Sequence, residues 1–172
     1  TAKRISFVAQ QCLRLAEATA ETLEGGFFPL ILSGDHSSAL GSLAGIKRAH
    51  PEQTLAAIWI DAHADLHSPY STPSGNVHGM PLAAALGNDN LELKRNEVEQ
   101  GALNDWETLK NMGGLTPIIM PEHLTYFGLR DYENEEAAIM EKLHIRDYPV
   151  HELRQRSFKT CIDETLERLA EV

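Results

Sequence analysis

The chain has 172 residues, of which 42% are hydrophobic, and a formal net charge of −10. This length and apolar content suit one globular domain with a real core and exclude a disordered chain. The negative charge, without a basic stripe or a Walker-type loop, excludes nucleic-acid binding as the main function. No apolar run approaches the ~20 residues of a membrane-spanning helix, so no membrane association is expected.

The two cysteines, Cys12 and Cys161, lie far apart in the sequence. So few cysteines indicate a reduced, cytoplasmic protein without a disulfide framework, although a pairing of these two stays open. Polar residues between Arg4 and Arg14 interrupt the apolar core that a signal peptide would need. We therefore expect a cytoplasmic protein.

Helices and strands are predicted to alternate along the chain. Apolar spacing and the positions of Gly and Pro predict helices over 4–24, 38–50, 81–86, 133–143 and from Ser157 toward Glu171. Apolar runs predict strands over 27–32, 55–60, 124–129 and 145–150. The segment 66–79 is predicted to be an irregular loop. The polar segment 88–117 is predicted to be a surface excursion with a helical piece over 106–112, and it suggests no function.

This alternation predicts the α/β class, with a doubly wound, mainly parallel sheet and helices on both faces. Sheets of this kind bind ligands outside the carboxyl ends of their strands. Polar side chains that directly follow a predicted strand are therefore the first candidates for a functional site.

The pentapeptide Asp61-Ala62-His63-Ala64-Asp65 directly follows the predicted strand 55–60. In an extended chain, alternate residues point to one side, so Asp61, His63 and Asp65 are expected to present their side chains together. Two carboxylates and an imidazole suit a divalent transition metal. One such residue alone would more often be a solvated turn residue, but the triplet favours metal ligation.

Two further segments contain a histidine in a similar setting. The segment Leu30 to Ser37 places His36 just after a predicted strand, which favours ligation over a role at the start of a helix. In Ser74-Gly75-Asn76-Val77-His78-Gly79-Met80-Pro81, glycines flank His78 and allow close approach of the backbone to a ligand. By composition alone, a flexible loop with a solvated His78 is an equal alternative.

Together, the segment Ser33 to Ser37, the pentapeptide and the segment Ser74 to Pro81 resemble the ureohydrolases, most closely arginase. The stretch Tyr126 to Asp131 extends the resemblance. The resemblance implies an arginase-like fold with two Mn²⁺ ions, although Co²⁺ or another divalent metal stays open. It assigns one ion to His36, Asp61 and Asp65, and the other to His63 and a bridging Asp61.

The resemblance also implies a reaction, in which a metal-bridging hydroxide attacks the guanidinium group of L-arginine and releases ornithine and urea. Asp65 would orient the hydroxide, and His78 would shuttle the proton that the leaving amine needs.

Substrate recognition is implied residue by residue. Ser74 and Asn76 match positions that contact the α-carboxylate, and Glu133 matches an acid near the α-amino group. Glu133 could equally be a helix-start acid placed for the dipole. His67 stands where arginases usually have Asn, so agmatinase or formimidoylglutamase stays an alternative.

The resemblance lacks one part of the family pattern. Ureohydrolases supply further metal-binding aspartates from a later Ser-Phe-Asp-x-Asp-x-x-Asp-Pro segment, which is not in this sequence. We therefore expect residues 1–172 to form a single arginase-like domain that is incomplete at both ends, and the isolated chain to be inactive. A non-catalytic truncated chain or pseudoenzyme is the alternative of another class. The resemblance further implies a homo-oligomer, a trimer or a hexamer.

Overall fold

The computed structural model describes residues 1–171. They form two compact units. The first contains Thr1–Gln53 and Asp65–Ile118, and the second contains Thr54–Ala64 and the described residues from Ile119 onward. The chain passes from the second unit to the first between Ala64 and Asp65, inside the pentapeptide.

The first unit is helical. Its helices are α1 (Ile5–Glu24), α2 (Ala39–Ala49), α3 (Pro81–Ala85) and α4 (Gln100–Lys110). Helix α1 buries a stripe of mostly small residues, and α2 packs closely on it through Gly41 and Gly45. The predicted helices 4–24, 38–50 and 81–86 are confirmed, whereas the helical piece expected over 106–112 begins earlier, at Gln100.

The second unit contains a parallel sheet flanked by helices. Its strands are β1 (Ala57–Ile60), β2 (Leu124–Phe127) and β3 (Arg146–Tyr148), in that order across the sheet. Its helices are α5 (Asn134–Lys142), α6 (Val150–Arg156) and α7 (Phe158–Leu169). The predicted α/β class with a parallel sheet is confirmed.

The register of the strands fixes which side chains share a face. Trp59, Tyr126 and Asp147 are partners across the three strands and therefore point to one side. Phe127 and Tyr148 point to the other side, where their rings lie 4.9 Å apart and pack with Cys161 of α7. This cluster anchors α7 to the sheet.

The predicted strand 27–32 is wrong. This segment forms no strand, and its apolar side chains are exposed, with Phe28 and Leu32 each 90% accessible. A strand needs a neighbour to pair its backbone N–H and C=O groups. Among the described residues, the sheet contains only β1, β2 and β3.

The predicted strand 145–150 is shorter than expected. It ends at Tyr148, and Pro149 directly precedes α6, a helix that the sequence did not predict. The last predicted helix is confirmed, and the Ser157 side chain accepts a hydrogen bond from the Thr160 N–H at its start. In the described part of the chain, no helix has both the length and the apolar character to cross a membrane.

Candidate metal centre

In the first unit, His36 and Asp65 lie side by side, with His36 Nδ1 2.8 Å from Asp65 Oδ2. Asp65 is buried and has a left-handed backbone with φ of 54°. Its carbonyl oxygen accepts hydrogen bonds from the N–H groups of Leu82 and Ala83, at the start of α3. These bonds hold the strained conformation, which an aspartate tolerates better than most residues.

The buried Oδ2 of Asp65 fits a metal ligand. Within residues 1–171 it has no hydrogen-bond donor in suitable geometry, although His36 Nδ1 is at ion-pair distance. A buried carboxylate oxygen without a donor is costly, and a cation would satisfy it. A carboxylate oxygen and an imidazole nitrogen this close together suit a divalent transition metal as ligand atoms.

In the second unit, Asp61 and His63 are neighbours just after β1. Asp61 Oδ1 accepts a hydrogen bond of 3.1 Å from the His63 N–H, and His63 Nδ1 lies 3.5 Å from the same oxygen. On its other side, His63 Nε2 lies 3.4 Å from Asp131 Oδ2. This exposed imidazole therefore lies between two carboxylates.

The extended geometry expected for the pentapeptide is wrong. The chain bends at Ala62 and His63, and Asp65 adopts its left-handed conformation. The Ala62 carbonyl accepts hydrogen bonds of 3.0 Å from the N–H groups of Arg130 and Asp131. The Ala64 carbonyl accepts a hydrogen bond from the Tyr126 hydroxyl. Strand β2 and the loop after it therefore set the shape of this turn, which local sequence patterns cannot reveal.

His78 lies on the short 3₁₀ turn Val77–Gly79 in the first unit, where its Nδ1 is 3.7 Å from Asp35 Oδ2. Burial raises the pKa of Asp35, but hydrogen bonds from Ser37 and the nearby His78 and His36 outweigh this and lower the pKa. Asp35 is therefore a carboxylate facing an exposed imidazole. Both residues line a cavity of about 800 Å³ that Asn76 also borders.

The candidate substrate residues have distinct surroundings. Ser74 Oγ accepts a hydrogen bond from the Asn76 N–H, and Asn76 Oδ1 lies 3.4 Å from Lys3 Nζ. His67 is buried, with Nδ1 3.3 Å from Ser71 Oγ. Glu133 is the N-cap of α5 and forms a capping box with Glu136. This cap matches the alternative interpretation of Glu133 as a helix-start acid.

Sequence reasoning gave no role to three residues that position the candidate ligands. Asp35 caps the 3₁₀ turn that begins at His36, Asp131 contacts His63, and Tyr126 fixes Ala64. Only Asp35 had a local signal, because an aspartate two residues before a serine often caps a turn. The other two contacts join segments that are distant in the sequence.

Comparison with known proteins identifies the family. A profile of the Arginase family matches residues 3–172. The chain belongs to the arginase family. This confirms the predicted resemblance and, with it, an incomplete arginase-like α/β fold in a family of ureohydrolase-like enzymes.

Individual arginases agree with this membership. The arginase of Bacillus caldovelox is 34% identical over 169 residues, which cover 98% of this chain and 50% of that protein. Human Arginase-1 is 36% identical over 156 residues, which cover 91% of this chain and 44% of that protein. The chain thus spans about half the length of the curated arginases it matches.

Solved structures give the same result for the fold. The native B. caldovelox arginase matches with a TM-score of 0.82 at 34% identity, over 98% of this chain and 50% of that one. A Bacillus subtilis arginase matches with a TM-score of 0.84 at 34% identity, over 98% and 52%. A formimidoylglutamase of B. subtilis, at 21% identity and a TM-score of 0.66, covers 91% of this chain and 40% of that one and shares the fold alone.

Proposed function

We propose that this chain is the part of a manganese-dependent arginase that supplies His36, Asp61, His63 and Asp65 to a binuclear centre. The observation that carries the proposal is the environment of the buried Asp65 Oδ2. This oxygen lies beside His36 Nδ1, and within the described residues no group donates a hydrogen bond to it in suitable geometry. The reaction would be hydrolysis of the guanidinium group of L-arginine to ornithine and urea. The cytoplasm is the proposed location, and a homotrimer or homohexamer is the proposed assembly.

Each ligand has a role in this proposal. His36 and Asp65 would bind one Mn²⁺, His63 the other, and Asp61 would bridge them. Bound there, the ions would lower the pKa of a water molecule and so make hydrolysis possible at neutral pH. Co²⁺ or another divalent metal would suit the same nitrogen and oxygen donors.

The residues of this chain would also handle protons. The Asp65 carboxylate would accept a hydrogen bond from the attacking water and orient it. His78 would deliver a proton to the leaving amine, since it is exposed on the cavity and can exchange protons with solvent. Asp35, 3.7 Å from His78, would stabilise the protonated imidazole.

Four residues are proposed to bind the substrate L-arginine. Ser74 and Asn76 would contact its α-carboxylate and Glu133 its α-amino group. His67 would be an additional hydrogen-bond donor. The Ser74 hydroxyl keeps its own proton to donate, because its bond to the Asn76 N–H uses only the oxygen. Glu133 would recognise an amino group while it also caps α5. A substrate without an α-carboxylate, such as agmatine, would use fewer of these groups.

A non-catalytic role is the second candidate. It is favoured by the extent of the match, which covers 50% of the B. caldovelox arginase. We expect the isolated 172-residue chain to bind Mn²⁺ weakly and to release no urea, because four candidate ligands leave each ion incompletely coordinated. Manganese-dependent urea release by the homogeneous chain would contradict this expectation.

Metal binding by the chain tests the proposal directly. Isothermal titration calorimetry measures the affinity of the chain for Mn²⁺. Relative to the parent chain, the affinity should fall at least roughly tenfold in His36→Ala and furthest in Asp61→Ala. His50→Ala, at the end of α2, is the matched control and should leave the affinity unchanged. Equal affinities in all four proteins would refute the metal centre.

Activity then tests the substrate. In an arginase that contains this segment together with the ligands it lacks, urea release from arginine should exceed release from agmatine. His78→Ala should slow turnover and leave the manganese content unchanged. Loss of metal in the His78 variant would contradict its assigned role in proton transfer.

A further inference from the structure

A second cleft lies in the unit that contains the sheet. Its volume is about 650 Å³, within the range of small-molecule sites. Leu129 and Arg130 line it from the loop after β2, and Pro149 and His151 line it just after β3. The strands are parallel, so the cleft lies at the carboxyl ends of two neighbouring strands, where open α/β sheets bind ligands.

The charged side chains that line this cleft are all basic or imidazole: Arg130, His151 and Arg154. Within residues 1–171, the Arg154 guanidinium has no hydrogen bond or ion pair, and Arg130 Nη1 donates to the Gly128 carbonyl alone. By contrast, Arg156 of the same helix pairs with Glu152 and Glu164 and lies outside the cleft. In a chain of net charge −10, this concavity therefore holds two guanidinium groups that have no carboxylate partner among the described residues.

The walls of the cleft are partly apolar. Leu129 is 2% exposed, and the Tyr132 ring, which is 43% exposed, lines the cleft together with the apolar residues Pro149 and Val150. The Tyr132 hydroxyl and the Gln155 amide add neutral donors. A ligand that fits has a charged head for the arginines and an apolar body for the walls.

We propose that this cleft binds a small organic oxyanion, a carboxylate or a phosphate carried on an apolar body. A guanidinium group presents two parallel N–H donors to two oxygens of such a head. His151 and Tyr132 would add hydrogen bonds at the rim. The site uses none of the candidate metal ligands, so the proposal does not rest on manganese binding or on the proposed arginase activity.

Titration of the 172-residue chain with benzoate, phenyl phosphate and inorganic phosphate tests the site. The measurement is made by NMR in the presence of EDTA, so that the metal centre cannot contribute. We expect saturable shifts at Arg154, His151 and Tyr132, and weaker binding of inorganic phosphate than of phenyl phosphate. Tighter binding of benzoate than of phenyl phosphate identifies the head as a carboxylate, and the reverse order identifies it as a phosphate.

Variants make the result specific. Arg154→Ala should weaken binding at least fivefold, and Arg154→Lys should restore part of the affinity because it keeps the charge and loses the two-pronged geometry. Arg14→Ala, an exposed residue of α1, removes the same charge from the other unit and should change nothing. Urea denaturation of each variant confirms that it folds.

Two results would overturn the proposal. One is the absence of saturable shifts in the cleft with all three probes at millimolar concentration. The other is an equal loss of affinity in Arg154→Ala and Arg14→Ala, which would indicate attraction by overall charge. Should Arg154→Ala fail to fold, Arg130→Ala provides the same comparison, with the same fivefold loss expected.

Discussion

The hydroxyl group of Tyr126 donates a hydrogen bond of 2.5 Å to the carbonyl oxygen of Ala64. Tyr126 lies fully buried in β2, and Ala64 lies in the turn after β1. This bond therefore ties Ala64 of the candidate metal-binding pentapeptide to the central strand of the sheet. It couples the packing of β2 to the shape of the turn after β1.

Tyr126→Phe should lower the free energy of unfolding by about 1–3 kcal/mol, because it leaves the Ala64 carbonyl without this donor. Urea denaturation followed by circular dichroism measures the change. Tyr132→Phe, which removes an exposed hydroxyl, is the control and should change stability by less than about 0.5 kcal/mol. Equal effects of the two changes would mean that the Ala64 bond contributes nothing.

Asp147 should make the protein less stable as the pH rises through the weakly acidic range. Burial raises the pKa of Asp147 to about 6, against the opposing attraction of Arg146, and its Oδ1 has no hydrogen-bond partner within residues 1–171. The folded state therefore holds this proton more tightly than the unfolded chain, where the pKa is near 3.8. Stability is then lost between about pH 4 and pH 6, and the loss is complete above that.

Asp147→Asn removes this dependence. The difference between 3.8 and about 6 corresponds to at most about 3 kcal/mol, and solvent screening of the half-buried group reduces this to about 1 kcal/mol. The midpoints of urea denaturation are measured at pH 4, 5, 6 and 7. The stability of the variant relative to the parent chain should increase progressively as the pH rises. Glu52→Gln, at an exposed position, should follow the parent chain at every pH. A constant difference across the range would exclude Asp147 as the cause.

A buried cation anchors α4. Lys110, whose side chain is 9% exposed, has its Nζ 2.7 Å from Asp89 Oδ1, and the same oxygen accepts a 2.8 Å hydrogen bond from Trp106 Nε1. Asp89→Ala should cost about 2–4 kcal/mol, because it leaves the Trp106 N–H without its acceptor and Lys110 without the more buried of its two carboxylate partners.

The same lysine offers a matched control. Its Nζ also lies 2.7 Å from Glu107 Oε1, but the Glu107 side chain is 59% exposed. Glu107→Ala should therefore cost less than about 1 kcal/mol. Thermal or urea denaturation compares the two variants, and similar losses would show that burial does not set the strength of these pairs.

Helices α1 and α2 approach so closely that no side chain fits between them at Gly45. A Cβ atom there would lie 2.6 Å from both the Ala16 carbonyl oxygen and the Thr19 Cβ. Gly45→Ala should destabilise the protein by about 1–3 kcal/mol, although alanine favours helices. Gly101→Ala in α4, where no atom lies within 4 Å, should instead stabilise it by about 0.5–1 kcal/mol. Denaturation midpoints that move in the same direction would contradict this reasoning.

The sequence predicts well where side-chain periodicity decides the structure. The helices α1, α2 and α5 and the strands β1 and β2 follow from apolar spacing. Gly25 and Pro51 also mark where α1 and α2 end. Its motifs also identify the family, because the segments with candidate metal ligands occur in the same order as in the ureohydrolases.

The sequence predicts poorly where a distant segment decides the structure. An apolar run such as 27–32 favours a strand whether or not a partner strand lies beside it. The turn from Asp61 to Asp65 is shaped by Tyr126 and Arg130, more than 60 residues away. The predicted strand 145–150 ends at Tyr148, because the Pro149 carbonyl already accepts a hydrogen bond from the Leu153 N–H at the start of a helix.

The exposed segment 27–32 determines how this chain behaves in solution. Phe27, Phe28, Leu30 and Leu32 are between 71% and 90% accessible, and they follow one another along a backbone that forms no strand. Such a row attracts other apolar surfaces. Concentrated samples will therefore scatter light and bind hydrophobic dyes while every helix is still folded, so colloidal stability limits the working concentration before thermodynamic stability does.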